Sequence, residues 1–193
     1  MKSKKELYTT ISAGKFKGKK LKLPSLTSTR STKSILKESF FNTIQFDIID
    51  KNFFEIFGGS GSMGLEAISR GAKKAYFIEK DKNAYKILQE NSQSLDKNRC
   101  EIYLGDSFEI FERVLKEIES KTYFYFDPPF DIREGMEGIY ERCFDLIEKI
   151  PQELVELIAV EHISSYKLPK NIQEYKLIKT KKFGKSSISY FGT

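Results

Sequence analysis

From residue 53 onward, short apolar segments alternate with amphipathic ones, and this alternation constrains the fold more than any other feature of the chain. Strands are expected at residues 53–57, 75–79, 100–106, 122–127 and 157–162. Helices are expected at 63–70, from Asp81, from Ser107 and at about 135–149. Apolar strands separated by helices are typical of a parallel sheet covered on both faces. The pattern predicts an α/β fold whose ligands bind at the carboxyl ends of the strands.

The segments around this core are expected to differ from it. Residues 7–23 alternate loosely around two glycines, which predicts a β-hairpin or an extended arm. A loop over 24–30 precedes a helix within residues 31–46. Two strands joined near Gly184 should close one edge of the sheet in antiparallel fashion. We therefore expect a mostly parallel seven-stranded sheet, with an arm over residues 1–30 and a main domain over residues 31–193.

Charge is distributed unevenly, although the net charge is only +6. Residues 1–37 carry eleven basic residues and one acidic residue, whereas residues 38–162 carry fifteen basic and twenty-five acidic ones. Residues 163–193 carry seven basic residues and one acidic residue. Basic ends around an acidic body favour a polyanionic partner such as nucleic acid. Lysines that only keep the protein in solution are the alternative.

Composition excludes several classes of protein. The chain is 39% hydrophobic and 31% charged, as expected of a folded protein. No apolar run approaches the roughly 20 residues that span a bilayer, and no apolar stretch of a secretory signal follows the basic N-terminus. The spacing of Cys100 and Cys143 matches no metal or redox motif. We expect a cytoplasmic monomer with reduced thiols, no metal site and no membrane partner.

A glycine-rich turn follows the first strand of the core. Gly59, Gly61 and Gly64 fit the GxGxxG pattern, in which a ligand approaches the backbone and helix N–H groups face an anion. The same pattern is also compatible with a nicotinamide dehydrogenase and with a tight turn that binds no ligand. The dehydrogenase lacks support, because nothing in the chain supplies a second nucleotide-binding half.

Three acidic residues lie at successive strand ends. Glu55 comes just before the glycines, Glu79 ends the second strand of the core, and Asp106 ends the third. An acid at the position of Glu79 can accept hydrogen bonds from both hydroxyls of a ribose, and Asp106 is placed to accept one from an adenine amino group. Each acid alone is more often a solvated or helix-capping residue. Together they predict a site shaped for adenosine.

The tetrapeptide Asp127-Pro128-Pro129-Phe130 follows the fourth strand. Its prolines fix two φ angles and remove two donors, which leaves the Asp127 carboxylate and the Pro128 carbonyl as rigid acceptors. An exocyclic amine has two N–H groups for such acceptors, and its lone pair can then face a methyl group. Phe130 is placed to stack on an unpaired or flipped base. A proline turn that only ends a strand is the alternative.

These motifs resemble a known family. Asp-Pro-Pro-Phe behind a glycine loop is similar to the methyltransferases that act on adenine N6, cytosine N4, guanine N2 or the glutamine amide. ISAGKFKGKKLKLP, TRSTKSILKESFFNTI, FGGSGSMGLEAISRGA and FIEKD more closely resemble the RsmD family of bacterial 16S rRNA guanine-N2 methyltransferases. Glu161-His162 and KKFGKSSISYF resemble the last strands of that family, so the resemblance covers nearly the whole chain.

The resemblance implies a Rossmann-like fold that binds S-adenosylmethionine (SAM), with a small N-terminal β-hairpin. It implies methylation of a guanine N2, at position 966 in the family, with 16S rRNA or a small-subunit assembly intermediate as partner. Asp127, Pro128, Pro129 and Phe130 would then be the catalytic residues that line the target pocket. The cofactor-binding residues expected are Arg30, Thr32, Glu55, Gly59, Ser60, Gly61, Glu79, Lys80, Asp106 and Ser107.

Four positions depart from the family pattern. Ser31 replaces a proline, Lys37 an arginine, Glu55 an aspartate and Gly58 an alanine. Glu55 keeps the charge of the aspartate, but its side chain is longer, so its hydrogen bond differs in position. Lys37 lacks the two-pronged hydrogen bonding of an arginine guanidinium. None of these changes removes a group that the chemistry needs.

Five lysines lie on the expected hairpin, where they would contact phosphates without reading sequence. Phe16 lies among them and is expected to anchor the hairpin in the core rather than to stack on a base. The expected RNA-binding lysines are Lys15, Lys17, Lys19, Lys20, Lys22, Lys33 and Lys37.

Three other functions remain open. An adenine-N6 methyltransferase of DNA would need a larger recognition region, and a protein glutamine methyltransferase does not predict a basic arm. The intact glycines and Asp127 argue against a non-catalytic RNA-binding assembly factor. His162, the single histidine, is expected to satisfy a hydrogen bond in the core rather than to act as a base.

Overall fold

The computed structural model describes residues 7–24, 30–129 and 138–193, and gives only the backbone for residues 30–32. The predicted site residue Phe130 and the side chains of Arg30 and Thr32 therefore lie outside the described part. The strands are β1 (Leu7–Thr10), β2 (Lys20–Leu23), β3 (Asn52–Glu55), β4 (Lys74–Glu79), β5 (Cys100–Leu104), β6 (Thr122–Phe126), β7 (Val155–Ile163), β8 (Asn171–Ile172), β9 (Tyr175–Phe183) and β10 (Ser186–Gly192). The helices are α1 (Arg30–Thr43), α2 (Ser62–Ser69), α3 (Lys82–Leu95), α4 (Ser107–Leu115) and α5 (Ile139–Ile147).

The central sheet has the strand order β5-β4-β3-β6-β7-β10-β9-β8. Its first five strands are parallel, whereas β10 pairs antiparallel with both β7 and β9. This confirms the predicted parallel sheet with an antiparallel C-terminal hairpin. The predicted number of seven strands is one too low among the described residues, because the two-residue strand β8 adds an eighth at the edge. Two residues carry too little periodicity to be predicted as a strand.

Helices cover both faces of the sheet, as its apolar strands require. Residues of α1 and α2, with Leu88 of α3, form one buried cluster with the sheet. Residues of α4 and α5 form a second cluster on the other face. The described helices include none that is long and apolar enough to cross a membrane. The strands β3 to β7 lie between these two clusters. Because these five strands are parallel, their carboxyl ends meet at one edge of the sheet.

Side-chain caps fix where two of the helices begin. The Asp81 carboxylate accepts hydrogen bonds from the backbone N–H groups of Asn83 (3.0 Å) and Ala84 (2.8 Å) at the start of α3. Asp106 accepts one from Phe108 (3.0 Å) at the start of α4. Because a cap satisfies N–H groups that have no partner within the helix, each helix starts directly behind its strand.

The strands β1 and β2 form a separate two-stranded antiparallel sheet, as predicted for the N-terminal segment. Ile11 and Leu21 of this hairpin are buried in the α1–α2 cluster, and Phe16 packs against it. Phe16 therefore anchors the hairpin, as expected.

The buried carboxylate of Glu66 on α2 holds the hairpin to the main domain. It accepts hydrogen bonds from Ser12 N (2.9 Å), Ser12 Oγ (2.7 Å), Ala13 N (3.1 Å) and Arg70 Nε (2.9 Å). The Lys37 ammonium lies 3.3 Å from the same carboxylate and donates to the Thr10 carbonyl oxygen (2.9 Å). Burial would raise the pKa of Glu66, but Lys37, Ser12 and Arg70 together lower it.

Candidate active site

Two glycines shape the loop between β3 and α2 through left-handed backbone conformations. Gly59 has a φ of +52° and Gly61 a φ of +75°, a region that favours glycine. A Cβ on Gly61 would lie 2.2 Å from Leu88 Cδ1, whereas a Cβ on Gly59 would meet no atom within 4 Å. Gly61 is therefore required by packing, and Gly59 leaves open space beside the backbone.

Glu55, at the end of β3, caps the N-terminus of α2. Its Oε2 accepts a hydrogen bond of 2.9 Å from the Gly64 N–H, and the side chain is buried. Burial raises the pKa of Glu55 to about 8, against the lowering effect of the Gly64 bond. The sequence suggested that α2 N–H groups would face a bound anion, but the protein supplies that acceptor itself.

Glu79, at the end of β4, reaches back to the glycine loop. Its Oε2 accepts a hydrogen bond from Gly59 N (2.6 Å), and its Oε1 accepts one from Asp81 N (2.7 Å). Burial raises the pKa of this carboxyl group. A carboxylate oxygen has two lone-pair sites, so each oxygen still has room for one further donor, such as a ribose hydroxyl.

The residues that follow β5 are engaged within the protein. Asp106 caps α4 with one oxygen, and its Oδ2 accepts a 2.7 Å hydrogen bond from Lys80 Nζ. The Ser107 hydroxyl is buried and donates to the Ile56 carbonyl (2.6 Å). Cofactor binding by Ser107 stays a prediction, and its hydroxyl is engaged by this bond within the core. Lys80 and Asp106 remain at the surface of the strand ends.

The Asp127-Pro128-Pro129 rim begins directly after β6. Asp127 is partly exposed and accepts a hydrogen bond of 3.0 Å from the Lys33 ammonium of α1. Pro128 is buried and Pro129 partly so. Asp127 raises the pKa of Lys33. The Asp127 carboxylate thus already holds one amino group of the protein.

A second carboxyl group, Glu161 on β7, lies beside Asp127. It is 3% exposed, and its Oε2 accepts a hydrogen bond of 3.2 Å from the buried Tyr125 hydroxyl. Burial and the neighbouring Asp127 raise the pKa of Glu161 to about 8. The sequence marked Glu161 only as part of the family resemblance and gave it no role. Its one signal was an acid near the end of an otherwise apolar strand.

One cavity, of about 170 Å³, is lined by some of these groups. Of the residues predicted to bind the cofactor, Glu55, Gly59 and Ser60 line it, whereas Gly61, Glu79, Lys80, Asp106 and Ser107 do not. A single water needs only roughly 10–15 Å³, so the cavity can admit an organic ligand. Residues of the glycine loop and of the carboxyl ends of β3, β6 and β7 line it, together with residues of β1, β2 and α1. Residues that line it include Glu55, Gly59, Ser60, Tyr125, Asp127 and Glu161.

The lysines predicted to bind RNA fall into two groups. Lys15, Lys17, Lys19 and Lys20 are exposed on the hairpin, while Lys22 is partly buried and pairs with Glu90 (2.8 Å). Lys33 lies at the Asp127 rim, and Lys37 is 7% exposed in contact with Glu66. The prediction that Lys37 contacts RNA is not supported by this position, because its ammonium is held inside between the hairpin and α2.

His162 occupies the core, as expected. It is 2% exposed; its Nε2 lies 2.9 Å from Ser189 Oγ and its Nδ1 2.9 Å from the Ile163 carbonyl oxygen. Its side chain alternates with that of Glu161 along β7 and so points to the other face of the sheet. No cluster of three or more potential metal-ligating side chains occurs among the described residues.

Comparison with known proteins assigns the chain to a family. A family model described as "Conserved hypothetical protein 95" matches residues 9–192. The chain belongs to the RsmD family. Ribosomal RNA small subunit methyltransferase D of Haemophilus influenzae is 33% identical over 138 residues, which is 69% of each chain. The protein of the same name from Escherichia coli K12 is 30% identical over 142 residues, 72% of this chain and 66% of that one.

Solved structures show the same fold over almost the whole chain. An Escherichia coli protein provisionally named a methyltransferase has a TM-score of 0.73 and 26% identity, with 96% of this chain and 97% of that chain covered. A Haemophilus influenzae protein provisionally named a methylase gives 0.70 and 28%, with 96% and 98% covered. The fold is that of the SAM-dependent methyltransferases, as the motifs predicted.

Proposed function

We propose that the protein transfers the methyl group of SAM to the exocyclic N2 of a guanine in 16S rRNA. The observation that carries the proposal is the contact between Asp127 Oδ2 and the Lys33 ammonium, 3.0 Å apart in the cavity that also contains the glycine loop. In this position a rigidly held carboxylate binds an amino group beside the expected cofactor site. Membership of a family whose relatives are named ribosomal RNA small subunit methyltransferases supports methyl transfer to rRNA.

The residues at the strand ends fit SAM. The open space beside Gly59 lets the cofactor's methionine part approach the backbone closely. Glu79 would bind the ribose hydroxyls with the free lone pairs of its carboxylate, and Asp106 lies at the next strand end, where the adenine is expected. The cationic amino and sulfonium groups of SAM suit a cavity that contains Glu55, Asp127 and Glu161. SAM, when bound, supplies an electrophilic methyl group.

The Asp-Pro-Pro rim would position the amine for attack. The Asp127 carboxylate and the Pro128 carbonyl each accept one N–H of the target amine, which turns the nitrogen lone pair out of conjugation with the ring. With SAM bound, the amine nitrogen would take the methyl group as the C–S bond breaks, and the adjacent Asp127 carboxylate would accept the proton that the nitrogen releases. The protein thus contributes orientation and a negative charge where positive charge develops.

Lys33 would have to leave Asp127 before the target amine can bind. The Lys33 side chain is 51% exposed, and pairs at such exposed positions typically contribute only about 0–1 kcal/mol. The ion pair therefore poses a small barrier, and the released ammonium can bind a phosphate of the RNA. We include Lys33 with Lys15, Lys17, Lys19 and Lys20 in the proposed RNA-binding set, with residues 1–30 as the arm that contacts the phosphates.

Transfer of a labelled methyl group tests the proposal and its rivals together. The protein is incubated with methyl-deuterated SAM and either naked 16S rRNA or small-subunit particles from a strain that lacks this protein, and the RNA is digested to nucleosides. Mass spectrometry should find the label in N2-methylguanosine. Label in N6-methyladenosine would indicate the adenine enzyme, label in a ribosomal protein the glutamine enzyme, and no transfer despite RNA binding the assembly factor. Each of these results would refute the proposal.

A further inference from the structure

Asp127 and Glu161 lie at the same level on neighbouring strands. β6 and β7 are parallel, and Phe126 pairs with Val160, so the next residue of each strand lies side by side at the carboxyl edge. Neighbouring strands are about 4.8 Å apart. Both side chains line the same cavity, and Asp127 is close enough to raise the pKa of Glu161. The pocket for the target base therefore contains two adjacent carboxyl groups rather than one.

Glu161 receives fewer hydrogen bonds from the protein than the buried carboxylate of Glu66 does. The Tyr125 hydroxyl, at 3.2 Å, is the one hydrogen-bond donor that the described residues provide to it. A carboxylate has about four lone-pair sites, and a buried acceptor without partners is destabilising. Glu66, by contrast, is buried with five donor groups around it. This difference indicates that a ligand donates to Glu161.

The arrangement of donors on the bases decides which ligand fits. Guanine carries a ring N1–H directly beside its N2 amine, so on that side of the amine two donors lie next to each other. Adenine and cytosine place a ring nitrogen that accepts a hydrogen bond beside their exocyclic amine. A second carboxylate next to the amine site can therefore accept the N1–H of guanine. In adenine or cytosine the same carboxylate would face the lone pair of a ring nitrogen, which is unfavourable.

We propose that Glu161 determines specificity for guanine by accepting the N1–H of the base, while Asp127 and Pro128 hold the N2 amine. This inference rests on the proposed guanine-N2 methylation. Burial and the neighbouring Asp127 raise the pKa of Glu161 to about 8 in the ligand-free protein. Bound guanine would offer two adjacent N–H donors, so that each carboxyl group has its own partner.

Substrates that differ only at this edge test the inference. The target guanosine, located by mass spectrometry of nuclease fragments, is replaced by 2-aminopurine in a reconstituted RNA. This base keeps the N2 amine but has a ring N1 that accepts a hydrogen bond. The wild-type protein should methylate guanine with a kcat/KM at least about 100-fold higher than that for 2-aminopurine. A site that accepts a hydrogen bond from the substrate discriminates strongly against a substrate without that donor. Comparable rates on both bases would overturn the inference without any variant.

The Glu161→Gln variant should lower this discrimination at least about tenfold, because its amide can donate to the N1 of 2-aminopurine. Glu156→Gln, at the other end of β7, is the matched control, because Glu156 pairs with Lys51 and lies outside the cavity. This variant should prefer guanine over 2-aminopurine as strongly as the wild type does. Folding of both variants is checked by thermal unfolding and SAM binding. Unchanged discrimination in a folded Glu161→Gln refutes the role of Glu161 alone, whereas methyl transfer to adenine refutes this inference and the proposed function together.

Discussion

At the residue scale, the cavity is unusual for the carboxyl groups that it buries. Glu55 and Glu161 have pKa values raised to about 8 by burial, and in Glu161 also by the neighbouring Asp127. Burial thus disfavours the charged form of both groups in the ligand-free protein. A cation in the cavity favours their ionised forms, so binding of a positively charged ligand is coupled to release of protons.

This coupling predicts how SAM affinity depends on pH. Binding of SAM should lower the pKa values of Glu55 and Glu161 from about 8. SAM then binds most tightly to the ionised forms, so its affinity should rise as the pH increases from about 6 to 7.5. Isothermal titration calorimetry in buffers of different ionisation enthalpy measures both quantities. Adenosine, which carries no charge, is the control ligand and should show a much smaller slope. An equal slope for the two ligands would contradict the coupling.

At the scale of secondary-structure elements, the fold joins its N-terminal hairpin to α2 through a buried charge. Glu66 accepts hydrogen bonds from β1-side residues Ser12 and Ala13, from Arg70 of its own helix end, and pairs with Lys37 of α1. These contacts connect three elements at one carboxylate. Because β1 and β2 also form part of the cavity wall, the position of this hairpin affects the site.

Glu66→Gln should destabilise the protein by about 3–5 kcal/mol, because it leaves the buried Lys37 charge without its counterion. Urea unfolding measures the loss. Glu90→Gln removes the exposed Lys22 pair between the same hairpin and α3 and should cost less than about 1 kcal/mol. Since the pKa of Glu66 is lowered by folding, its stabilisation should be complete above about pH 4.5 and disappear as the pH falls below it. Equal effects of the two variants would be inconsistent with this role.

The glycine loop offers a second test at this scale. Gly61→Ala introduces both a left-handed alanine and a clash with Leu88 at 2.2 Å, so the variant should lose stability and bind SAM at least about tenfold more weakly. Gly184→Ala is the matched control, because Gly184 also has a positive φ of +63° but no atom within 4 Å of the added Cβ. It should cost about 1 kcal/mol and leave SAM affinity unchanged. Thermal unfolding and calorimetry distinguish the two, and weakened SAM binding in both variants would refute the specific role of the loop.

At the scale of the whole molecule, charge is separated between basic ends and an acidic body. The hairpin exposes Lys15, Lys17, Lys19 and Lys20, while the carboxyl groups of the cavity lie beneath it. This division would let the arm bind phosphates and the cavity bind the base and the cationic cofactor. Affinity for RNA and affinity for SAM should therefore respond to different mutations.

Lys17→Gln with Lys19→Gln should weaken RNA binding and reduce the slope of log K against log salt by roughly 1.5, since each phosphate contact contributes about 0.7–0.9. SAM affinity should not change. Lys116→Gln with Lys149→Gln, from exposed positions at α4 and α5, is the charge-matched control. Filter binding or fluorescence anisotropy at several salt concentrations gives the slopes. An identical slope in both double variants would exclude the arm as a phosphate-binding element.

Much of this architecture could be predicted because it depends on local patterns. The order of strands and helices follows apolar periodicity, and the glycine loop and the Asp-Pro-Pro rim lie in consecutive residues behind their strands. The cap at Asp106 was weighed as an alternative to cofactor binding, and the structure contains it. The sequence therefore predicts correctly that these residues follow strands whose carboxyl ends lie at one edge of the sheet.

Contacts between residues distant in sequence could not be predicted in this way. Glu66 lies among apolar residues of α2, and its partners Ser12 and Lys37 come from other elements, 54 residues away in the case of Ser12. Lys37 resembles other lysines of the basic N-terminal region, yet it points inward because Glu66 is there. The pairing of Asp127 with Glu161 depends on the register between β6 and β7. Such contacts follow from tertiary packing, which a single sequence leaves open.

The central claim is that Asp127 holds the amine which receives the methyl group, and the single-turnover rate of methyl transfer to RNA by Asp127→Asn tests it most directly. The variant should bind SAM within about threefold of the wild type but transfer methyl roughly 100-fold more slowly, or worse, as when one preorganised electrostatic contact is removed. Asp145→Asn, at an exposed position of α5, should transfer at the wild-type rate. A transfer rate for Asp127→Asn within threefold of the wild type would contradict the claim.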